Sequence, residues 1–448
     1  MSADRAGTLW CEFAWLGGER AESGALIELD GDRIDSVTTG IAQPPAQATS
    51  LPGLTIAGFA NAHSHAFHRA LRGRTQAGRG DFWSWRERMY GLAEAVDPNV
   101  YLALARATFG EMALAGVTAV GEFHYLHHAP GGQRYEDPNE IGRALIAAAR
   151  EAGVRITLLD TCYLHGGIDR WVEGTQLRFS DGNAERWAER MDALEPEAGA
   201  RLGAAIHSVR AVDPESAARV AAFAAERSWP LHAHVSEQPA ENDDCRAAYG
   251  KSPIGVLADA GALSERFTAV HATHLDVDDF GLLGGRGCSV CLCPTTERDL
   301  ADGVGPARRL VDAGAKLCLG TDSHAMIDPF EEARAVELNE RLESRRRGGH
   351  PAHELLRAAT AGGYASIGWP EGGGIAPGGL ADLVTIGIDG VRLAGAPPDQ
   401  LIESVVFAAA AADVRHVLVG GEFIVRDGMH RRLDVADELA KAIAMLPA

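Results

Sequence analysis

The chain lacks a hydrophobic run long enough to cross a bilayer, since none approaches about 18 uninterrupted apolar residues. Positive charge is also scarce: 42 Lys and Arg residues stand against 62 Asp and Glu residues, and the net charge is −20. This balance argues against nucleic acid as a partner, because nucleic acid is bound by neutralising phosphates with Lys and Arg. It also means that an anionic substrate needs local arginines to overcome the general field.

Cysteine is sparse and odd in number, with seven residues. The N-terminus has neither the charged start nor the apolar run of a signal peptide, so we expect a reducing, cytoplasmic location. Cys288, Cys291 and Cys293 resemble a metal cluster, but no second Cys/His pair lies at zinc-finger spacing. Alternation places Cys291 and Cys293 on one face of a buried strand, and we interpret all three as core residues.

What the chain does contain is enough apolar sequence for a large core: 448 residues, 46% of them hydrophobic and 23% charged. That length exceeds one ordinary domain of about 100–200 residues but suits a barrel with a smaller partner. Short β-type runs alternate with helical patterns through the middle of the chain, which predicts a parallel sheet. Eight strands, counted from a His-x-His segment, predict an α/β fold with a (β/α)8 TIM-type barrel. After that first strand, they are predicted at 117–123, 154–159, 202–207, 231–235, 268–271, 288–292 and 316–320.

The two flanks of the chain have a different pattern. Residues 26–37 and 416–425 alternate around tight turns, and a turn after residue 372 leads into another strand. We infer a small β-sandwich-like domain formed by both termini. The predicted division is 1–56 and 371–448 (with a terminal helix) for this domain and 57–370 for the barrel. Two further helices are predicted, one near 245–260 and one in the Ala-rich stretch 408–412.

The most informative segment places His63 and His65 one residue apart after the apolar run 54–59. On a strand, residues i and i+2 point to the same face, so the two imidazoles would project together, as paired metal ligands do. A lone His-x-His is a weak signal, and three later features strengthen it: His234-x-x-Glu237, His271 after an apolar run, and Asp322-Ser-His324 after another.

Titratable residues end six of the predicted strands, and barrel active sites form at the carboxyl ends of the strands. Three imidazoles and one carboxylate can hold one divalent ion with an open coordination position. We predict one Zn²⁺ per chain, although iron, manganese or another divalent metal could occupy the same ligands. The proposed ligands are His63, His65, His234 and Asp322.

Three catalytic residues are predicted around that ion. A metal ion lowers the pKa of bound water to about 7, and Asp322 could help to deprotonate it. Glu237 could carry a proton to a leaving nitrogen, and His271 could stabilise developing charge. Each has a structural alternative when taken singly: an N-cap for Asp322, a hydrogen-bonded core residue for His271 and an exposed surface group for Glu237. As an ordered set, they favour a metal-dependent hydrolase.

The ordered pattern His-x-His, His-x-x-Glu, His and Asp resembles the amidohydrolase superfamily, in its deaminase-like branch, over almost the whole chain. The segment 202–209 contains no lysine, which disfavours the two-metal type with a carbamylated lysine. Five local segments are more specific and resemble the formimidoylglutamate deiminase family within that superfamily: 61–70, 82–90 (FWSWRERMY), 122–128 (EFHYLHH), 207–212 (HSVRAV) and 322–331.

This resemblance implies hydrolysis of N-formimidoyl-L-glutamate to N-formyl-L-glutamate and ammonia in histidine degradation. A glutamyl substrate brings two carboxylates, which the planar guanidinium of arginine binds well. The segment 82–85 is expected to cover the site and exclude water. The resemblance implies five substrate-binding residues: His68, Arg86, Tyr125, His207 and Arg210. At the position of His68, the family commonly has a glutamine.

Two alternatives stay open. The first is a deaminase of a purine, pyrimidine or related ring, or an imidazolonepropionate hydrolase, on the same scaffold; a ring would need stacking or amide groups more than paired arginines. The second is a barrel that serves as an interaction module, although such a protein would normally have lost a metal ligand. The expected partners are a small anionic substrate and a second copy of the chain in a homodimer, with neither nucleic acid nor membrane.

Overall fold

The computed structural model of the chain describes residues 5–77, 80 and 82–447. The N-terminus, where the sequence predicts no signal peptide, lies outside the described residues in its first four positions. The strands are β1 (Thr8–Ala14), β2 (Glu22–Asp30), β3 (Arg33–Thr38), β4 (Thr49–Ala57), β5 (Phe59–Ser64), β6 (Val117–His124), β7 (Arg155–Cys162), β8 (His165–Gly167), β9 (Arg170–Trp171), β10 (Ala200–Ile206), β11 (Leu231–Val235), β12 (Phe267–His271), β13 (Ser289–Leu292), β14 (Lys316–Leu319), β15 (Leu383–Ile386), β16 (Val414–Val419), β17 (Glu422–Arg426) and β18 (Met429–His430).

Helices follow most of the central strands, as the alternating pattern predicts. They are α1 (Phe82–Ala95), α2 (Pro98–Leu114), α3 (Glu140–Ala152), α4 (Ala184–Asp192), α5 (Pro214–Glu226), α6 (Pro239–Tyr249), α7 (Pro253–Asp259), α8 (Val277–Gly285), α9 (Pro294–Asp299), α10 (Ala307–Asp312), α11 (Pro329–Ser344), α12 (Ala352–Arg357), α13 (Gly363–Ser366), α14 (Leu401–Ala408) and α15 (Val435–Ala444).

Eight parallel strands form the barrel, in the order β14-β13-β12-β11-β10-β7-β6-β5. The barrel closes where the end of β5 meets the segment after β14: Ser64 bridges Asp322, and the amide of Asp322 donates to the carbonyl of His63 at 3.0 Å. Gly320 permits this approach, because a Cβ there would lie 2.8 Å from the Cβ of His63. The predicted (β/α)8 barrel is confirmed, and its closure brings the first strand's histidines to Asp322.

A second eight-stranded sheet is built from both ends of the chain, in the order β18-β17-β16-β15-β4-β1-β2-β3. Its two halves join where β4 pairs antiparallel with β15, with Ala57 opposite Leu383. A separate small core of residues such as Leu9, Ile27 and Phe423 packs on it. The predicted β-domain from both termini is therefore confirmed, while the boundaries at 56/57 and 370/371 stay predictions.

Three local predictions differ from the structure. The apolar run 54–59 is divided, because β4 ends at Ala57 in the terminal sheet and β5 begins at Phe59 in the barrel. The helix predicted near 245–260 is two helices, since Gly250 ends α6 in a left-handed conformation and Ser252 caps α7. The helix predicted at 408–412 is wrong, because α14 ends at Ala408 and only a short 3₁₀ turn follows.

The cysteines lie in the core. All seven are buried and none forms a disulfide. Cys291 and Cys293 pack with Cys318 in the barrel interior, and Cys288 belongs to the main hydrophobic core, as the interpretation of these three as core residues predicts. Within the part of the chain that the structure describes, no helix has both the length and the apolarity needed to span a membrane.

Candidate active site

Four side chains converge at the carboxyl end of the barrel. The Nε2 atoms of His63 and His65 each lie 3.2 Å from Oδ1 of Asp322. The Nε2 atom of His234, on β11, lies 3.1 Å from Nε2 of His63. These are the four residues that the sequence predicts as metal ligands. Asp322 belongs to both of the two overlapping groups of possible ligands at this point, which also include His271 and His68.

The backbone determines which nitrogen of two of these rings carries its proton. Nδ1 of His65 lies 2.9 Å from the carbonyl oxygen of Phe123, and Nδ1 of His234 lies 2.9 Å from that of His207. Because a carbonyl oxygen only accepts, both Nδ1 atoms donate, and in a neutral ring each Nε2 atom presents a lone pair. The lone pair of His65 then faces the carboxylate of Asp322. A divalent cation that accepts these lone pairs would remove the repulsion, so the donor set fits a metal ion.

Burial affects the charge states of the same residues. Burial lowers the pKa of His63 to about 3 and that of His234 well below its ordinary value, so both rings are neutral and able to ligate. Burial opposes ionisation of Asp322, but the adjacent rings of His63 and His65 hold the pKa of its carboxyl well below the usual range. The site therefore combines the neutral imidazoles of His63 and His234 with an anionic carboxylate, which is the protonation state that a divalent metal requires.

Glu237 and His271 lie beside this cluster. Nε2 of His271 is 3.7 Å from Oε1 of Glu237 and 3.9 Å from Oδ2 of Asp322. Burial raises the pKa of Glu237. His271 and Asp322 both have left-handed backbone conformations, with φ of 68° and 42°. Such strain in non-glycine residues is concentrated at functional sites.

A cavity of about 420 Å³ opens above the cluster. Every predicted site residue lines it except His63, which lies fully buried beneath. The five predicted substrate-binding residues are therefore brought together: His68, Arg86, Tyr125, His207 and Arg210. Helix α1 covers one side of this cavity with Phe82, Trp83 and Trp85, where the sequence predicts a covering segment.

The polar residues of the cavity wall have different partners. Nε2 of His68 lies 2.8 Å from the hydroxyl of Tyr125. The guanidinium of Arg86 stacks over Trp83, 4.7 Å from the ring centroid, and also over Tyr90 at 5.4 Å. That of Arg210 is flanked by two carboxylates, Glu237 at 3.7 Å and Glu241 at 3.5 Å.

Sequence reasoning missed Glu297, on α9. Its Oε1 atom lies 3.4 Å from Nδ1 of His271 and accepts the amide of Cys293 at 2.8 Å. It missed Glu241 as well, although Glu241 lies only four residues beyond the predicted Glu237, in the first turn of α6. Each is almost fully buried, and a buried carboxylate is rarely placed without a partner.

Other histidines near the site have structural partners. His324 lies behind the cluster, where Nε2 is 3.0 Å from the hydroxyl of Ser64. His124, His127 and His128 belong to a separate buried network with Asp160 and Asp181. Arg190 binds both of these carboxylates, with its Nη2 atom 2.8 Å from Asp160 and 2.9 Å from Asp181. A cation already occupies that network, so we assign it no ligand.

The barrel, with histidines and an aspartate at its carboxyl end below a cavity that holds Glu237, defines the class of metal-dependent barrel hydrolases. The sequence model of the amidohydrolase family matches residues 54–424. The chain belongs to the amidohydrolase family, whose members hydrolyse carbon–nitrogen bonds with a metal.

Relatives in this family include several deaminases. The chain is 37% identical over 397 residues to a formimidoylglutamate deiminase from Pseudomonas aeruginosa, which covers 86% of this chain and 87% of that protein. It is 30% identical to a 5-methylthioadenosine/S-adenosylhomocysteine deaminase from Natronomonas pharaonis, over 85% of this chain and 83% of the relative. Among solved structures, an amidohydrolase from Brucella melitensis is 34% identical, with a TM-score of 0.88 over 98% of this chain and 99% of that one.

Proposed function

We propose that the protein hydrolyses N-formimidoyl-L-glutamate to N-formyl-L-glutamate and ammonia, as a step of histidine degradation in the cytoplasm. One observation carries this proposal: guanidinium groups and the candidate metal cluster line the same cavity. A dicarboxylate substrate needs cations in an acidic protein, whereas a neutral ring does not. The similarity to a formimidoylglutamate deiminase supports the same substrate.

The four candidate ligands would hold one divalent ion, for which we propose Zn²⁺ because imidazole and carboxylate suit it. Such an ion supplies Lewis acidity and a nucleophile at neutral pH. The backbone carbonyls of Phe123 and His207 orient two of the ligand rings toward it. Other divalent metals fit the same donors.

The residues around the cluster perform the proton transfers. When water adds to the formimidoyl carbon, Asp322 and His271 take up and hold the proton that it releases. Glu237 donates a proton to the terminal nitrogen, because burial raises the pKa of its carboxyl and keeps a proton available there. As the bond between the carbon and that nitrogen breaks, the proton of the adduct's hydroxyl passes to the nitrogen, so ammonia leaves and the formyl carbonyl forms. The proton held by Asp322 and His271 then restores the protonated carboxyl of Glu237.

The remaining residues position the substrate. Arg86 and Arg210 bind the carboxylates, while Tyr125, His68 and His207 line the wall nearer the reacting carbon. The aromatic side chains of α1 exclude water from above. Fixing the reacting carbon in this way contributes several kcal/mol to lowering the barrier, on the order of what positioning effects supply.

The proposal is tested by measuring ammonia release from N-formimidoyl-L-glutamate by zinc-loaded protein. Guanine, cytosine, 5′-methylthioadenosine and imidazolonepropionate are assayed in parallel. Release from N-formimidoyl-L-glutamate alone, abolished by a chelator, is the expected result. Turnover of a ring substrate instead would leave the assignment of the metal ligands intact and would refute the roles of Arg86 and Arg210. A ring substrate is the second candidate, because one relative is a deaminase of such a compound.

A further inference from the structure

A third guanidinium lies at the mouth of the cavity, on the hairpin formed by β8 and β9. Arg170 belongs to this hairpin and lines the cavity together with Ile168 and Asp169. Its side chain is exposed, and the neighbouring Trp171 is 81% exposed. The hairpin therefore presents both a cation and a large aromatic side chain beside the opening.

The three arginines of the cavity differ in how far their charge is already compensated. Arg210 lies within 4.0 Å of two carboxylates, those of Glu237 and Glu241. Among the described residues, neither Arg86 nor Arg170 has a carboxylate within that distance. A guanidinium without a counter-ion gains more from binding a substrate carboxylate than one that two carboxylates flank. Arg170 therefore adds a second guanidinium without a counter-ion, besides Arg86, to the wall that also holds Arg210.

The hairpin is attached to the segment that carries Arg210. The amides of Leu164 and His165 both donate to the carbonyl of Ala211, at 2.8 and 2.9 Å. The stem of Arg170 lies against the hairpin backbone, because a Cβ added to Gly167 would be 3.4 Å from its Cδ atom. These contacts hold Arg170 on a defined element beside the cavity rather than on a free loop.

Carboxylates also lie at this rim, and they would repel an anionic substrate unless a nearby cation offset their charge. Asp169 and Asp244 line the cavity as well, and the whole chain is strongly acidic. A dianion that enters meets their repulsion. A guanidinium without a counter-ion at the rim offsets this repulsion. It can also bind whichever substrate carboxylate lies beside the opening.

We propose that Arg170 is a specificity-determining residue that binds a carboxylate of a dicarboxylate substrate at the mouth of the cavity, in addition to Arg86 and Arg210. This inference rests on the proposed function, since it names the residue that selects the dianion.

The test compares Arg170→Met with the wild-type protein on three substrates. They are N-formimidoyl-L-glutamate, N-formimidoyl-4-aminobutyrate, which lacks the α-carboxylate, and N-formimidoyl-L-2-aminobutyrate, which lacks the side-chain carboxylate. We expect kcat/KM on the dicarboxylate to fall about 10- to 100-fold, mainly through KM, as for loss of a charged hydrogen bond. On the analogue that lacks the carboxylate bound by Arg170, the same substitution should change kcat/KM less than about threefold.

Two further variants serve as controls. Arg20→Met removes an exposed arginine between β1 and β2, far along the chain from the cavity residues, and should leave all three values unchanged. Arg170→Lys keeps the charge and should recover part of the loss. Melting temperatures of all variants should match that of the wild type, since Arg170 is exposed.

The outcomes separate this inference from the proposed function. An active wild-type enzyme whose kcat/KM is unaffected by Arg170→Met refutes the role of Arg170 alone. An equal loss of kcat/KM on all three substrates also refutes the role of Arg170, because such a loss would come from a disturbed hairpin and not from a missing contact to one carboxylate. A wild-type enzyme that releases no ammonia from any of the three refutes the proposed function and this inference together.

Discussion

At the residue scale, Glu237 lies between two groups with different tasks: His271 at 3.7 Å and Arg210, also at 3.7 Å. It is not one of the four candidate metal ligands. We therefore expect Glu237→Gln to retain bound metal and to lose turnover by about 10²–10⁴-fold, the usual contribution of a proton-transfer residue. The measurement is kcat together with metal content per chain. An active, metal-loaded Glu237→Gln enzyme would remove Glu237 from this role.

Glu297 acts on His271 from the opposite side. Its Oε1 atom faces Nδ1 of His271, so the other nitrogen, Nε2, is directed toward Glu237 and the cavity. Glu297→Gln preserves shape but removes the carboxylate, and we expect kcat to fall about 10- to 100-fold with KM changed much less. Steady-state kinetics on metal-loaded protein checks this. A fall in metal content that accounts for the lost kcat would instead assign Glu297 to the stability of the site.

How much of the site could be predicted depends on sequence spacing. The pair His63/His65 is recognisable because a strand repeats every two residues, and His234 with Glu237 lies within one short segment. Glu297 has no such signal, since its partner His271 lies 26 residues away and only the barrel brings them together. For Arg170, the sequence gives no indication that its hairpin borders the cavity.

At the scale of single elements, closure of the barrel depends on Gly320, directly after β14. A Cβ at this position would lie 2.9 Å from both the backbone nitrogen and the carbonyl oxygen of His63. We expect Gly320→Ala to lower the free energy of unfolding by about 1–3 kcal/mol, the usual cost of overpacking, and to weaken metal binding. Chemical denaturation and metal titration measure the two effects.

Gly281 provides the matched control for that substitution. It lies within α8, and a Cβ added there meets nothing within 4 Å. Gly281→Ala should leave metal binding unchanged and increase stability by up to about 1 kcal/mol, because alanine favours the helix. Equal effects of the two substitutions would contradict the role of Gly320 in closure.

The elements themselves were largely predictable, because short apolar runs bounded by helical patterns are distinctive. The strand predicted at 231–235 coincides with β11. The prediction failed at 408–412, where alanine's helix propensity was the only signal and the chain instead turns from α14 into β16. The break between α6 and α7 was marked in the sequence by Gly250 and Pro253, both of which interrupt a helix.

At the scale of the whole molecule, the candidate metal would link distant parts of the chain, since its ligands lie on β5, directly after β5, on β11 and just beyond β14. An ion that binds only the folded state stabilises it by about 4 kcal/mol at 1,000 times its Kd. We therefore expect a chelator to abolish activity and to lower the melting temperature by several degrees, with both restored by Zn²⁺. Calorimetry checks this.

Asp322→Asn supplies the control for metal removal. Asp322 belongs to both groups of possible metal ligands, so the substitution weakens metal binding by either group. Its melting temperature should be insensitive to chelator. A wild-type protein whose melting temperature and activity do not respond to complete metal removal would contradict the metal assignment. The homodimer stays a prediction, which sedimentation can test.

The pairing of β4 with β15 has a consequence for the order of events during synthesis. The partner of β4 is translated only after the whole barrel sequence, which at 5–20 residues per second means a delay on the order of tens of seconds. Throughout that interval, β4 has an unpaired edge on the side where β15 will dock, and such an edge is a template for aggregation. Slower translation of the barrel region should therefore increase the fraction of nascent chains that bind chaperones before release.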